Sequence, residues 1–183
     1  MPTIKKLVRL ALAPCCWRGL VHGVAAGVEH MPLLRHLRPG TVVDIGANRG
    51  QFALATRCSV GNAKIISFEP LPGPGEAFQR VFAADPQVRL IQAAVGPQSR
   101  EMPFHVSRRD DSSSLLPIGD VQSEMFPGTE EQELVSVPVA PLADLVDADD
   151  LAGPVLLKID VQGFELEALR GCETLLDRFE WLY

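Results

Sequence analysis

Three acidic residues each end or follow an apolar segment of the kind that forms a buried β-strand. Asp44 lies in Thr-Val-Val-Asp-Ile, Glu69 follows Ile-Ile-Ser-Phe, and Asp160 follows Leu-Leu-Lys-Ile. In a parallel α/β sheet, ligands bind at the carboxyl ends of the strands. The three carboxylates are therefore expected to form one wall of a binding site, with a nucleotide-type cofactor as its leading occupant.

A glycine turn, Gly46-Ala-Asn-Arg-Gly50, follows Asp44 and leads into a predicted helix. Glycine lets the backbone approach a ligand closely, and the first N–H groups of a helix are unpaired. The turn lacks the G-x-G-x-x-G pattern that binds a pyrophosphate, which argues against a nicotinamide-binding domain. Glu69 stands about 25 residues after Asp44, where an acid binds ribose hydroxyls in such folds. A glycine turn that serves packing alone is the alternative.

The segments that carry these acids alternate with helical segments. Strands are predicted at Thr41–Ile45, Lys64–Phe68 and Val88–Val95, with helices at Arg49–Cys58 and Gly75–Ala84 between them. This βαβαβ order predicts a doubly wound, mostly parallel α/β sheet with right-handed crossovers.

Residues 97–150 interrupt the alternation with a stretch rich in proline, serine and acidic residues. Short strands are predicted within it at Met102–Ser107 and Glu133–Val139. A long insertion between core elements is usually functional or disordered, and this one could fold over the strand ends. The alternation then resumes with a strand, a helix and the start of another strand, at Val155–Asp160, Phe164–Arg178 and Glu180–Tyr183.

The charge of the chain is unevenly distributed. Residues 1–40 carry six basic residues and one acidic residue, whereas the remainder carries 11 basic and 22 acidic residues. An acidic body argues against nucleic acid as a partner, because phosphate binding requires a basic face.

Residues 1–39 form a predicted helical segment that is interrupted near Pro14 and at its glycines. Its start is a poor secretory signal, because Arg9 interrupts the apolar stretch. No run approaches the roughly 18 apolar residues of a membrane span. A basic amphipathic helix that packs on the domain and one that makes weak contact with a membrane surface are both open.

The cysteines and histidines predict no metal site. Cys15 and Cys16 are adjacent, Cys58 and Cys172 stand alone, and none has zinc-site spacing. We expect four reduced thiols in a cytoplasmic protein.

Five segments together resemble the FkbM family of methyltransferases. They occur in the family's order at Asp44–Phe52, Phe68–Pro70, Gln92–Gly96, Ser112–Leu115 and Leu157–Glu165. The resemblance implies a class I, Rossmann-like fold and the cofactor S-adenosylmethionine. It also implies O-methylation of a hydroxyl on a small molecule or glycan, typically a sugar or secondary metabolite.

The resemblance also implies roles for individual residues. Glu69 would accept hydrogen bonds from the ribose hydroxyls, and Gln92 or Ala94 would lie against adenine. The methionine portion would be held by the residues at the end of the first strand and in its turn, namely Asp44, Gly46, Ala47, Asn48 and Gly50.

Asp160 would face the sulfonium and is the main candidate for the base that deprotonates the acceptor, with His105 as a weaker candidate. Asp160 could instead cap the following helix. Ser113, Ser114 and Glu165 could bind acceptor hydroxyls, or belong to a flexible loop and a solvated helix face.

The resemblance implies the seven-stranded sheet of class I methyltransferases, with the strand order 3-2-1-4-5-7-6. This chain supplies the first four strands and the start of the fifth, so we expect a sheet incomplete at its C-terminus. The exposed edge would favour oligomers. A noncatalytic remnant that binds cofactor or a partner chain is the competing interpretation.

Overall fold

The computed structural model describes residues 14–107, 113–116 and 131–183. The strands of this part of the chain are β1 (Thr41–Ile45), β2 (Lys64–Phe68), β3 (Val88–Ile91), β4 (Ala94–Val95), β5 (Arg100–Ser107), β6 (Glu131–Ala140), β7 (Val155–Ile159) and β8 (Trp181–Leu182). Five of them form a parallel sheet in the order β3-β2-β1-β7-β8. The predicted doubly wound α/β fold is confirmed, and β8 confirms the strand start predicted at Glu180–Tyr183.

Helices cover both faces of this sheet. They are α1 (Pro14–Val21), α2 (Met31–Leu37), α3 (Gln51–Ser59), α4 (Pro72–Phe82), α5 (Leu142–Leu145) and α6 (Glu165–Gly171), with 3-10 turns at Ala148–Asp150 and Glu173–Arg178. The first four pack on one face and the others on the opposite face. Val42 on β1 belongs to the first core cluster and its neighbour Val43 to the second. Because both faces are covered, the strands are almost continuously apolar.

The helix predicted over Phe164–Arg178 is divided in two. α6 ends at Gly171, and the chain continues as a 3-10 helix from Glu173. Gly171 lies directly on the backbone of Gly96: a Cβ there would be 2.6 Å from the Gly96 carbonyl oxygen. This backbone contact holds α6 close to the chain that follows β4.

The prediction of a single strand over Val88–Val95 is wrong, because this range contains two strands that belong to different sheets. β3 pairs with β2 at the edge of the main sheet, whereas β4 pairs with β6 in a second sheet of order β4-β6-β5. The chain leaves the main sheet between them, at Gln92 and Ala93. β5 and β6 are antiparallel and extend the strands predicted at Met102–Ser107 and Glu133–Val139, which confirms both.

The N-terminal segment packs on the domain over the part that the structure describes. Cys16 from α1 and Leu34 from α2 are fully buried in the same core cluster as Val42. The predicted helical residues 4–13 lie outside the described residues. Among the described residues, no helix has the length and apolar character that crossing a membrane requires.

The expectation of four reduced thiols is wrong for this structure. Cys15 and Cys58 form a disulfide that links α1 to α3, with their Cα atoms 5.5 Å apart. Cys16 and Cys172 are free and buried. The pair is 43 residues apart in sequence, so only the packing of α1 on α3 brings it together.

Gly171→Ala should lower the free energy of unfolding by about 1–3 kcal/mol, because the new methyl group collides with the Gly96 backbone. Gly73→Ala is the matched control, since no atom lies within 4 Å of a Cβ built there. Urea unfolding measures both variants. Equal stability of the two variants would contradict the contact between α6 and Gly96.

Candidate functional site

A cavity of about 590 Å³ opens at the carboxyl ends of β1, β2 and β7. Its wall includes the turn after β1, the ends of β2 and β7, Glu29 and His30 from the loop before α2, and Phe104 from β5. Its volume lies within the range of roughly 300–1,000 Å³ that is usual for small-molecule and cofactor sites.

Seven of the residues predicted to form the site line this cavity. They are Gly46, Ala47, Asn48, Glu69, Ala94, Ser113 and Asp160. They come from the main sheet, the second sheet and the segment after β5, so the fold brings together residues that are distant in sequence.

A buried ion pair lies beneath the turn. The Lys158 ammonium is 2.9 Å from Oδ1 of Asp44, whose side chain is fully buried. The two residues face each other across the β1–β7 ladder. Neither Asp44 oxygen accepts a hydrogen bond of normal geometry from the described residues, so charge attraction holds the pair. Asp44 was expected in the wall of the site, but it does not line the cavity. Its partner Lys158 lines the cavity instead.

Lys158 also fixes the turn itself. Its ammonium donates hydrogen bonds to the carbonyl oxygens of Gly46 at 2.8 Å and Ile45 at 3.3 Å. Gly46 has φ +79°, and a Cβ there would be 2.0 Å from the Asp160 carbonyl oxygen. Only glycine lets the turn after β1 lie this close to the end of β7.

Glu69 connects the same turn to β2. Its Oε2 accepts the Asn48 N–H at 2.9 Å and its Oε1 accepts the Leu71 N–H at 3.0 Å. Burial raises the pKa of Glu69 to about 7, although these two hydrogen bonds and the charge of Lys158 oppose the shift. The raised pKa favours the folded state at low pH, and that contribution is lost as pH rises from about 4.5 towards 7.

Asp160 lines the cavity with an exposed side chain. Its Oδ1 accepts a hydrogen bond from the Gln162 side-chain amide at 2.8 Å. Helix α6 has Phe164 as its N-cap residue and no side-chain cap. Asp160 therefore does not cap that helix, and the capping alternative is wrong.

Two other predicted cofactor residues lie outside the wall. A Cβ at Gly50 would meet the rings of Phe78 and Phe82 at 2.8 Å, so its glycine serves packing at the start of α3. Gln92 is exposed, and its side-chain amide lies beside Gly75. Of the two residues expected against adenine, the cavity wall contains Ala94.

Of the two serines predicted to bind the acceptor, one lines the cavity and the other does not. Ser113 lines the cavity and accepts the Ser107 N–H at 3.0 Å. Ser114 lies outside the wall and donates to the Gln162 carbonyl oxygen at 2.8 Å.

Glu165 and His105 are also outside the wall. Glu165 accepts the Gly163 N–H at 3.0 Å. Burial raises the pKa of Glu165, but hydrogen bonds from backbone N–H groups, among them those of Gly163 and Val161, outweigh it, so that the pKa is lowered. His105 exchanges backbone hydrogen bonds with Ser114.

Three ring side chains of the cavity wall, His30, Phe52 and Tyr183, were not predicted from the sequence. His30 Nδ1 and the Tyr183 hydroxyl are 2.9 Å apart, and the Phe52 ring stacks on Tyr183 with centroids 6.0 Å apart. The Lys158 ammonium lies 5.8 Å from the Phe52 ring centroid. The positions of His30, Phe52 and Tyr183 in the sequence do not indicate that these side chains meet. Lys158 did have a signal in the sequence, because it is a lysine inside an apolar strand.

Lys158→Met should lower the free energy of unfolding by about 3–5 kcal/mol, because it leaves the Asp44 charge buried without its partner. The double variant Asp44→Asn/Lys158→Met should recover part of that loss. Lys64→Met is the matched control, because Lys64 pairs with Asp150 at the surface and should cost about 1 kcal/mol or less. Equal losses for the two lysine variants would contradict a special role of the buried pair.

The chain is similar in sequence to known methyltransferases. The sequence model of the methyltransferase FkbM domain matches residues 44–182. The 31-O-demethyl-FK506 methyltransferase FkbM of Streptomyces tacrolimicus is 32% identical over 168 residues, covering 76% of this chain and 64% of that protein. Methyltransferase 1 of Beauveria bassiana is 26% identical over 144 residues, covering 72% of this chain and 58% of that protein.

A solved structure, the methyltransferase FkbM from Methylobacillus flagellatus KT, aligns with a TM-score of 0.47 and 16% identity over 73% of this chain and 29% of that chain. The chain spans about three fifths of the length of the two curated relatives. The family match covers most of the described fold and the whole predicted motif set. The chain belongs to the FkbM methyltransferase family.

Proposed function

We propose that the cavity binds S-adenosylmethionine and that the protein transfers its methyl group to a hydroxyl of a sugar or secondary metabolite. The observation that carries the proposal is the Glu69 carboxylate, which lines the cavity at the end of β2. Each of its oxygens accepts one backbone N–H and retains a further lone pair. Two adjacent ribose hydroxyls are donors that match such a carboxylate.

Other residues of the wall fit the remaining parts of this cofactor. Ala94 and Leu71 belong to one apolar cluster and line the cavity, which suits the flat adenine base. Gly46, Ala47 and Asn48 form the turn against which the methionine portion would lie.

S-adenosylmethionine supplies a methyl group bound to a positively charged sulfur. The chain's own contribution is to align the acceptor oxygen with that methyl group, exclude water and remove the acceptor's proton. Asp160 is the proposed base, because its side chain is exposed in the cavity and, among the described residues, only the Gln162 amide hydrogen-bonds to it, at Oδ1. His30, Phe52 and Tyr183 offer both ring faces and polar edges, which suits a hydroxylated acceptor.

The relative from Streptomyces tacrolimicus supports oxygen as the methylated atom, since its name denotes a methyltransferase for a 31-O-demethyl compound. The competing function is binding of cofactor or a partner chain without turnover.

The affinity for S-adenosylmethionine should rise with pH through about 7, because ribose hydroxyls donate best to ionised Glu69. Glu69→Gln should weaken binding about 10- to 100-fold above pH 8 and abolish this part of the pH dependence. Titration calorimetry between pH 6 and 8.5 measures both effects.

Glu165→Gln is the matched control for that experiment, because it makes the same change outside the cavity wall. Its affinity and pH profile should follow the wild type. A wild-type affinity independent of pH, or equal losses in both variants, would count against Glu69 as the ribose ligand.

Asp160→Asn should reduce kcat by about 100-fold or more with any hydroxylated acceptor that the wild type methylates. The dissociation constant of S-adenosylmethionine should change much less, since its ribose and adenine contacts remain. Product formation by mass spectrometry over an acceptor panel supplies the rates. A variant with wild-type kcat would remove Asp160 as the base, and no product from the wild type on any acceptor would favour binding without turnover.

A further inference from the structure

Three cysteine sulfurs meet where α1 packs on α3. Cys15 and Cys16 begin α1, and Cys58 lies near the end of α3. The Cys16 sulfur is 3.6 Å from that of Cys58 and 4.0 Å from that of Cys15. All three sulfurs lie within 4.8 Å of one another.

These separations are close to those of three thiolates on one metal ion. With metal–sulfur bonds of about 2.3 Å, trigonal or tetrahedral geometry places ligand sulfurs roughly 3.8–4.0 Å apart. Both distances from Cys16 are already near this range. Only Cys15 and Cys58 must separate, and reduction of their disulfide allows that.

The surroundings of the sulfurs suit a partly enclosed site. Cys16 is fully buried, Cys58 is half-buried and Cys15 is exposed, so an ion could enter past Cys15. Burial raises the pKa of Cys16, and the nearby positive charge of Arg35 opposes that shift. A bound cation would deprotonate the thiols, as it does in other thiolate sites.

We propose that Cys15, Cys16 and Cys58 of the reduced protein bind one soft metal ion, Zn²⁺ or Cu⁺, and that the disulfide is the oxidised, metal-free form of this site. A dithiol supplies the two electrons and two protons that reduce the disulfide, and is itself oxidised to a disulfide. The three thiols then release three protons as their sulfurs bind the ion. Soft thiolate ligands are those that Zn²⁺ and Cu⁺ prefer.

The site would hold α1 against α3 in either form. α3 begins one residue after Gly50, and the loop between α1 and α2 supplies Glu29 and His30 to the cavity. A reduced, metal-free protein would lose this link. The proposal rests on the position of the sulfurs and holds whether or not the cavity binds S-adenosylmethionine.

The test uses the full chain, reduced with a phosphine and dialysed without oxygen against Zn²⁺ or, separately, against Cu⁺ held by a competing chelator. Elemental analysis should give one ion per chain for at least one metal. The oxidised protein should bind none. Co²⁺ in place of Zn²⁺ should show thiolate-to-metal charge-transfer absorption.

Cys16→Ala and Cys58→Ser should each weaken binding at least about 100-fold, with far-ultraviolet circular dichroism verifying that the variants fold. Cys172→Ser is the matched control, because Cys172 is also buried but lies on the opposite face of the sheet, where burial raises its pKa to about 12. Metal bound equally by the oxidised protein or by folded Cys16→Ala would overturn the proposal. So would a reduced wild type that binds neither metal.

Discussion

The buried ion pair between Asp44 and Lys158 is the constraint on which the site depends. A charge as deeply buried as Asp44 is tolerated only with a partner, and β7 provides one directly opposite. The same ammonium binds the carbonyl oxygens at the start of the glycine turn. One lysine therefore joins the two central strands, neutralises the carboxylate and sets the path of the backbone that forms the cavity wall.

The remaining walls come from elements outside the five-stranded sheet. The second sheet supplies Ala94 and Phe104, whereas the loop before α2 supplies His30. The direct contact of Gly171 with Gly96 holds α6 against the chain that follows β4 in the second sheet. The Cys15–Cys58 link fixes α1 on α3. These two contacts anchor separate parts of the cavity, and both can be tested without altering a residue of its wall.

The sequence predicted the main sheet well because its strands are buried on both faces and read as continuous apolar runs. Glu69 and Asp160 could be placed in the site because parallel strands end at one edge. Asp44 also lies near the end of its strand, but its side chain is buried against Lys158 and does not line the cavity. Periodicity cannot show such pairing. Nor could it show that Val88–Val95 divides between two sheets, or that His30 and Tyr183 meet across 153 residues.

If the strand ends around Glu69 form a site for S-adenosylmethionine, this compound should stabilise the folded chain. Thermal unfolding of the chain with and without it, and with NAD⁺ as the competing nucleotide, measures that effect. At about 100 times its dissociation constant, a ligand that binds only the folded state stabilises it by roughly 2.7 kcal/mol. We expect a clear rise in Tm with S-adenosylmethionine and none with NAD⁺. Cooperative unfolding at an unchanged Tm with saturating S-adenosylmethionine would contradict the proposed site.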